Sequence, residues 1–210
     1  MKGESKMTRF YLLRHGETEW NQDHNRYCGR TDIALSAEGE RQADLAGLQL
    51  SKIPFDAIYS SPLKRALETT RRVNAHHSKE VIVDPRLMEA DFGQWEGMTK
   101  AEIMQQYPES WERWMSDPAN TRAGDNGETG LEVYNRAYRA FHEIAREQRG
   151  NNVLVTAHNT FNRLFMAGAL GLPFHKYRTM TQHNTGITIF EINQEDDFQL
   201  IQLNSMMHLI

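Results

Sequence analysis

The sequence predicts an α/β fold: a three-layer sandwich with a mostly parallel central sheet flanked by helices. Two observations carry this. Short apolar runs alternate with longer amphipathic stretches along the whole chain, the pattern of successive strand–helix units. No repeat, low-complexity tract or Pro/Gly/Ser-rich linker interrupts the 210 residues, a length that suits one domain. With 39% hydrophobic and 25% charged residues, the chain has enough apolar material to bury a core.

Phe10-Tyr11-Leu12-Leu13, an apolar run ahead of a charged turn, reads as a buried strand. Residues 36–50 read as a helix with Ala43, Ala46 and Leu50 on one stripe. Residues 56–60 form a short strand, and Pro62 suits the first turn of a helix running to about Val73. Val81-Ile82-Val83 is another short strand. Thr99 with Glu102, and Thr129 with Glu132, are capping-box pairs that open helices. In the second of these, Leu131, Tyr134, Tyr138, Phe141, Ile144 and Ala145 recur at helical spacing and are expected in the core. Residues 153–156 form a strand, followed by a helix to about Leu170 that Gly171 ends. Residues 187–192 and 198–203 read as the last strands, joined by an acidic turn over 194–197.

The bulk properties narrow the function classes. The formal net charge is -4 with the signs interspersed, and no long basic run offers a footprint for a phosphate backbone, which argues against a nucleic-acid partner. Cys28 is the single cysteine, so neither an internal disulfide nor a multi-thiol zinc site is available, and a reducing compartment is expected. The polar start Met1-Lys2-Gly3-Glu4-Ser5-Lys6 lacks the apolar stretch of a secretion signal. No run approaches the roughly 20 apolar residues that span a bilayer. These features predict a cytoplasmic protein without membrane attachment, a flexible leader over residues 1–7, and either a monomer or a homodimer.

In doubly wound sheets, ligands bind beyond the carboxyl ends of the strands. Arg14, His15 and Gly16 follow the first strand. Ser61, Pro62 and Arg65 follow the second, Glu89 lies beyond the third, and His158 follows the strand at 153–156. Two arginines supply forked donors that match phosphate oxygens. Helix N-termini beside Arg65 and His158 are expected to add anion-attracting amides. A neutral imidazole attacks phosphorus, and nearby arginines disfavour its protonation. A lone carboxylate serves as acid to a leaving alkoxide and then as base to water. Phosphoryl transfer needs mainly positioning and charge stabilisation, so neither a metal nor another cofactor is expected. The pair His76-His77 has no acidic or cysteine partner at ligand spacing and reads as a solvated helix end. Neither a phosphate-binding Gly-Lys-Ser/Thr loop nor a Gly-x-Ser-x-Gly elbow is present.

The segments Leu13-Arg14-His15-Gly16-Glu17-Thr18 with Trp20-Asn21, Tyr59-Ser60-Ser61-Pro62-Leu63-Lys64-Arg65-Ala66, Met88-Glu89-Ala90-Asp91-Phe92-Gly93 with Trp95-Glu96-Gly97, and Val155-Thr156-Ala157-His158 resemble the histidine phosphatase superfamily, also called phosphoglycerate mutase-like. The resemblance runs from about Arg9 to the C-terminus and implies one such domain over 1–210, with a cap insertion at about 92–128. It implies His15 as the phosphorylated nucleophile, Glu89 as proton donor, and Arg14, Arg65 and His158 around the phosphate. It implies substrate contacts at Asn21, Cys28, Gly29, Lys100 and Asn159. Asn159-Thr160 stand where the family often has glycines, and Asn126-Gly127-Glu128-Thr129 replaces the usual Gly-Gly-Glu-Ser.

Hydrolysis of a small phosphorylated metabolite is the favoured reaction. The mutases carry a longer insertion after the acid glutamate, with paired arginines for the substrate carboxylate. Here that segment is short and Arg113 and Arg122 are isolated. A cofactor-dependent phosphoglycerate mutase and a catalytically idle binding protein on the same scaffold are the rivals. The loop His183-Asn184-Thr185-Gly186 is a candidate for the pocket rim, and His208 for a tail contact.

Overall fold

The computed structural model describes residues 6–193 and 195–210. Most of the leader expected over 1–7, and Gln194 of the expected acidic turn, lie outside the described residues.

In chain order the elements are β1 (Thr8–Arg14), α1 (Glu19–Gln22), α2 (Ala37–Leu50), β2 (Ala57–Ser60), α3 (Lys64–Asn74), β3 (Val81–Val83), α4 (Lys100–Gln106), α5 (Pro108–Ser116), α6 (Gly130–Glu147), β4 (Asn152–Ala157), α7 (Asn159–Ala169), β5 (Ile187–Ile192) and β6 (Phe198–Ser205). The six strands form one sheet in the order β3-β2-β4-β1-β5-β6. The first four are mutually parallel; β5 runs antiparallel to β1, and β6 antiparallel to β5. This is the mixed, mostly parallel sheet that the alternating pattern predicts.

Strand side chains alternate between two helical layers, as a period of two requires. Phe10, Leu12, Tyr59, Val153 and Val155 point to the side covered by α6 and α7, where they meet Val133, Ala137, Phe141, Phe161 and Phe165. Tyr11, Leu13, Ile58 and Leu154 point the other way, onto Ala46 and Leu50 of α2 and Val73 of α3. The parallel strands are buried on both faces, which explains their continuous apolar runs. At the centre of the larger layer Phe10 stacks on Phe190 at 5.0 Å between ring centroids, and Phe141 lies 4.3 Å from Phe165. Trp95, Ile103, Trp111 and Trp114, from the segment after Glu89, join this same core.

Both capping boxes form: Thr99 accepts from the Glu102 amide and Thr129 from the Glu132 amide, with each glutamate reaching back. Two expectations are corrected. Pro62 lies before α3 rather than in its first turn; Leu63 is the N-cap and Lys64 the first helical residue. The buried stripe of α6 is also rotated from the expected one. Leu131 is exposed and Tyr134 and Tyr138 half-buried, whereas Val133, Arg136, Ala137, Ala140, Phe141 and Ile144 face inward. The large aromatics drew the predicted stripe toward themselves; in the fold, small residues let α6 approach the sheet closely.

The parallel register sets the site. Arg14 pairs with Ala157, and Ser60 pairs with both Thr156 and Val83. The ladders extend one residue further, through His15 N to Ala157 O (3.1 Å) and Ser61 N to Thr156 O (3.0 Å). The residues following four strands therefore emerge at one edge.

Candidate active site

A cavity of about 390 Å³ opens at that edge. Of the residues singled out in the sequence, Arg14, His15, Asn21, Cys28, Arg65, Glu89, Lys100 and Asn159 line it. His158 and Gly29 do not: each stands behind a lining residue and holds part of the wall.

His15 is buried directly after β1. Its Nδ1 lies 2.7 Å from the Gly16 carbonyl, and Arg65 Nε donates to its Nε2 at 3.2 Å. A carbonyl accepts only and a guanidinium donates only, so Nδ1 carries the proton and Nε2 the lone pair. Burial, with Arg65 and Arg14 close by, holds the His15 pKa well below its ordinary value. The imidazole is neutral and its lone-pair nitrogen, Nε2, faces Arg65.

Arg65, in the first turn of α3, is fully buried. Nη1 donates to Thr31 O at 2.9 Å and Nη2 to Gly29 O at 2.7 Å. The loop providing those carbonyls is fixed by Glu96, which accepts from the Arg30 and Thr31 amides and the Thr31 hydroxyl. Gly29 has φ +50, and a Cβ there would lie 1.9 Å from Glu96 Oε1. Glycine is required both for the backbone angle and for that approach. Arg14 donates through Nη1 to Gln182 O at 2.8 Å, while its buried Nε has no partner. Burial lowers its pKa to about 10, still cationic at neutral pH. The loop before β5 reaches the site as expected: Thr185 N donates to Arg14 O and Asn184 Nδ2 to His15 O.

His158 is the N-cap of α7, its ring centroid 5.2 Å from that of His15 and its Nε2 2.7 Å from Ser61 Oγ. Burial, then Arg65 and His15, keep its pKa well below the ordinary range.

Glu89 is buried, and its carboxylate accepts from the amides of Ala90 (2.9 Å), Thr160 (3.0 Å) and Phe161 (2.8 Å). The α7 N-terminus, expected to hold phosphate, is thus occupied by the protein's own carboxylate. At α3 the Lys64 amide is likewise taken by Asp32. A helix N-terminus attracts whichever anion the chain places there, and here the chain supplies both.

Sequence reasoning missed Arg136. Its guanidinium donates to the carbonyls of Arg86, Met88 and Glu89 and pairs with Glu128 at 3.0 Å. This fixes the backbone that carries Glu89. Burial pushes the Glu128 carboxyl up, yet Arg136 and the Asp91 amide bring it below its ordinary range. A charged residue in phase with Val133 and Ala140 was the available signal. Arg163 of α7 and Arg178 of the 3-10 turn Phe174–Thr179 were also missed, and both line the cavity. Arg113 and Arg122 pair instead with Asp125 and Glu132, away from the lining. His77 packs edge-on against Phe55, and His208 bonds Thr185 Oγ1 at 2.9 Å.

A family model, histidine phosphatase superfamily (branch 1), matches residues 10–205. The chain belongs to that superfamily. Its enzyme class is therefore that of a phosphatase. Phosphoserine phosphatase 1 of Hydrogenobacter thermophilus is 33% identical over 203 residues, covering 97% of this chain and 95% of that protein. The crystal structure of a phosphoserine phosphatase from Entamoeba histolytica, in complex with 3-phosphoglyceric acid, superposes with a TM-score of 0.88 at 30% identity over 97% of this chain and 100% of that one. A putative alpha-ribazole-5'-P phosphatase of Escherichia coli gives a TM-score of 0.83 at 30% identity, covering 94% and 96% of the two chains. Among the described residues, no helix is long and apolar enough to cross a membrane.

Proposed function

We propose that this histidine phosphatase hydrolyses a small phosphorylated metabolite through a phosphohistidine on His15, in the cytoplasm and without a metal. One observation carries the reading: a buried, neutral imidazole in the cavity lining, its Nε2 lone pair held only by Arg65, with Arg14 close by and a single carboxylate in the same lining.

Arg14 and Arg65 take the phosphate oxygens, Arg65 giving up its bond to His15 as it does so. Nε2 then attacks phosphorus in line with the ester oxygen. The P–O bond breaks, and protonated Glu89 delivers its proton to the departing alkoxide. In the second half, the Glu89 carboxylate takes a proton from water, the hydroxide attacks phosphorus, and the P–N bond breaks to release inorganic phosphate. Arg14 and Arg65 stabilise the charge on the equatorial oxygens in both steps, with His158 packed behind His15. Asn21, Cys28, Lys100 and Asn159 frame the substrate, while Gly29 holds Arg65.

The names of the relatives favour hydrolysis of small substrates. So does the pairing of Arg113 and Arg122 elsewhere, which leaves the segment after Glu89 without the carboxylate clamp expected of a mutase. Rapid quench with a ³²P-labelled substrate tests the mechanism: label is expected on wild-type protein, acid-labile and base-stable, and absent from His15→Ala. Turnover by His15→Ala at the wild-type rate would refute it. Transfer between the 2- and 3-positions of phosphoglycerate far exceeding phosphate release would favour the mutase instead.

A further inference from the structure

We propose that His208 is a positioning residue for the nucleophile: with Asn204 it latches the turn over 183–186, and that turn holds the backbone of Arg14 and His15. This role rests on the phosphatase reading and extends it to a part of the molecule outside the cavity.

The antiparallel ladder between β1 and β5 ends where Leu13 pairs with Ile187. Beyond it, the turn before β5 takes over the support of the nucleophile segment. Thr185 N donates to Arg14 O at 3.0 Å and also reaches His15 O at 3.3 Å. Asn184 Nδ2 donates to His15 O at 3.1 Å and to Asn21 Oδ1 at 3.2 Å. Gln182 O, just ahead of the turn, accepts from Arg14 Nη1 at 2.8 Å, and Gln182 Nε2 donates to Gly186 O at 3.1 Å. Both ends of Arg14 and the carbonyl of His15 are thus referenced to five consecutive residues.

That turn does not hold itself. Thr185 is fully buried with φ +54, an angle that a β-branched residue adopts only where its surroundings dictate it. The dictating contacts come from the end of β6 and the residues after it. His208, in the 3-10 turn Met207–Leu209, bonds Thr185 Oγ1 through Nε2 at 2.9 Å. Asn204, itself at φ +50, grips His183 at two points: its Oδ1 accepts from His183 N at 2.8 Å and its Nδ2 donates to His183 Nδ1 at 2.8 Å. A Cβ on Gly186 would lie 2.1 Å from Asn204 Oδ1, so glycine is what admits this grip. The turn that carries His208 packs against α2, which gives the latch a fixed base. Thr185, Asn204 and His208 do not line the cavity, so their effect on turnover passes through the backbone of Arg14 and His15.

Steady-state hydrolysis of p-nitrophenyl phosphate gives the first readout. His208→Leu is expected to lower kcat about tenfold with little change in KM, the scale on which a slight misplacement of a reacting group acts. His208→Gln, which offers a hydrogen-bonding group at the reach of Nε2, should recover most of the loss. Thr185→Val removes the same bond from its other end, so the double variant should be no slower than the slower single one. Effects that multiply in the double variant, or a lower melting temperature with kcat intact, would overturn the positioning role. Amide hydrogen exchange gives a readout that needs no turnover. The Thr185 amide should exchange at least about tenfold faster in His208→Leu and in Asn204→Ala. Unchanged exchange in both would overturn the latch while leaving hydrolysis standing. Faster exchange in both, with no hydrolysis of p-nitrophenyl phosphate or 3-phosphoglycerate by the wild type, would support the latch and overturn the phosphatase reading.

Discussion

The strand-end half of the cavity and the half lined by Lys100, Arg163 and Arg178 are held in different ways. At the strand ends, His15 is tied to the Gly16 backbone, Arg65 to Gly29 and Thr31, and Glu89 to three amides, with Arg14 Nε the one group there left without a partner among those lining the cavity. On the other side, Lys100, Arg163 and Arg178 rest on aromatic faces. Tight satisfaction gives pre-organisation for a reaction that is the same for every phosphate ester. Aromatic faces hold a cation by its flat side, without tying it to backbone.

The comparison breaks most sharply at His15. With the covalent step proposed for it, His15→Ala should lower kcat by about 10⁴-fold or more in a steady-state phosphate-release assay. Glu89→Gln should follow at about 10²- to 10⁴-fold. It also places an amide NH₂ among three backbone N–H donors, so a lower melting temperature should accompany the loss. Arg136→Met sharpens the contrast, since Arg136 touches no substrate but fixes the Glu89 backbone. The expected result is a drop of about 2 kcal/mol in urea-unfolding stability and a fall in kcat with little change in KM. A KM effect alone would deny it that positioning role.

The last effect is one of pH, and it leaves activity aside. His15 and His158 are neutral in the folded state, with pKa values well below 6.5. In the unfolded chain they take up protons near pH 6.5. Their neutral burial therefore costs nothing above that pH, and stability falls as pH drops below it, by up to about 1.4 kcal/mol per pH unit for each histidine. Urea titrations at pH 7 and pH 5 should show the decline, and His158→Asn should make it shallower.

The sheet was legible because strands buried on both faces leave unbroken apolar runs, as at Phe10 to Leu13. Arg14, His15 and His158 were legible as cavity-end residues because each ends or follows such a run, and Arg65 and Glu89 because they lie a few residues beyond one. What stayed hidden depends on packing phase and on long-range pairing. Arg136 was obscured because Tyr134 and Tyr138 suggested a rotated stripe on α6. Arg163 and Arg178 look like solvated helix and turn residues until Trp111 and Tyr177 are brought beneath them. Helix N-termini were legible as anion sites, but their occupants, Glu89 and Asp32, are distant in sequence.

The contact between Arg65 and His15 also bears on selectivity toward chemical insult. With no phosphate in place, the lone pair of Nε2 is engaged by the Arg65 Nε–H at 3.2 Å. A stray acylating or alkylating agent thus meets a nitrogen whose electrons are already committed. In the proposed mechanism an arriving phosphate would draw that guanidinium onto its own oxygens and free the nitrogen as phosphorus comes within reach. The arginine that shields the resting nitrogen would then be the one that releases it.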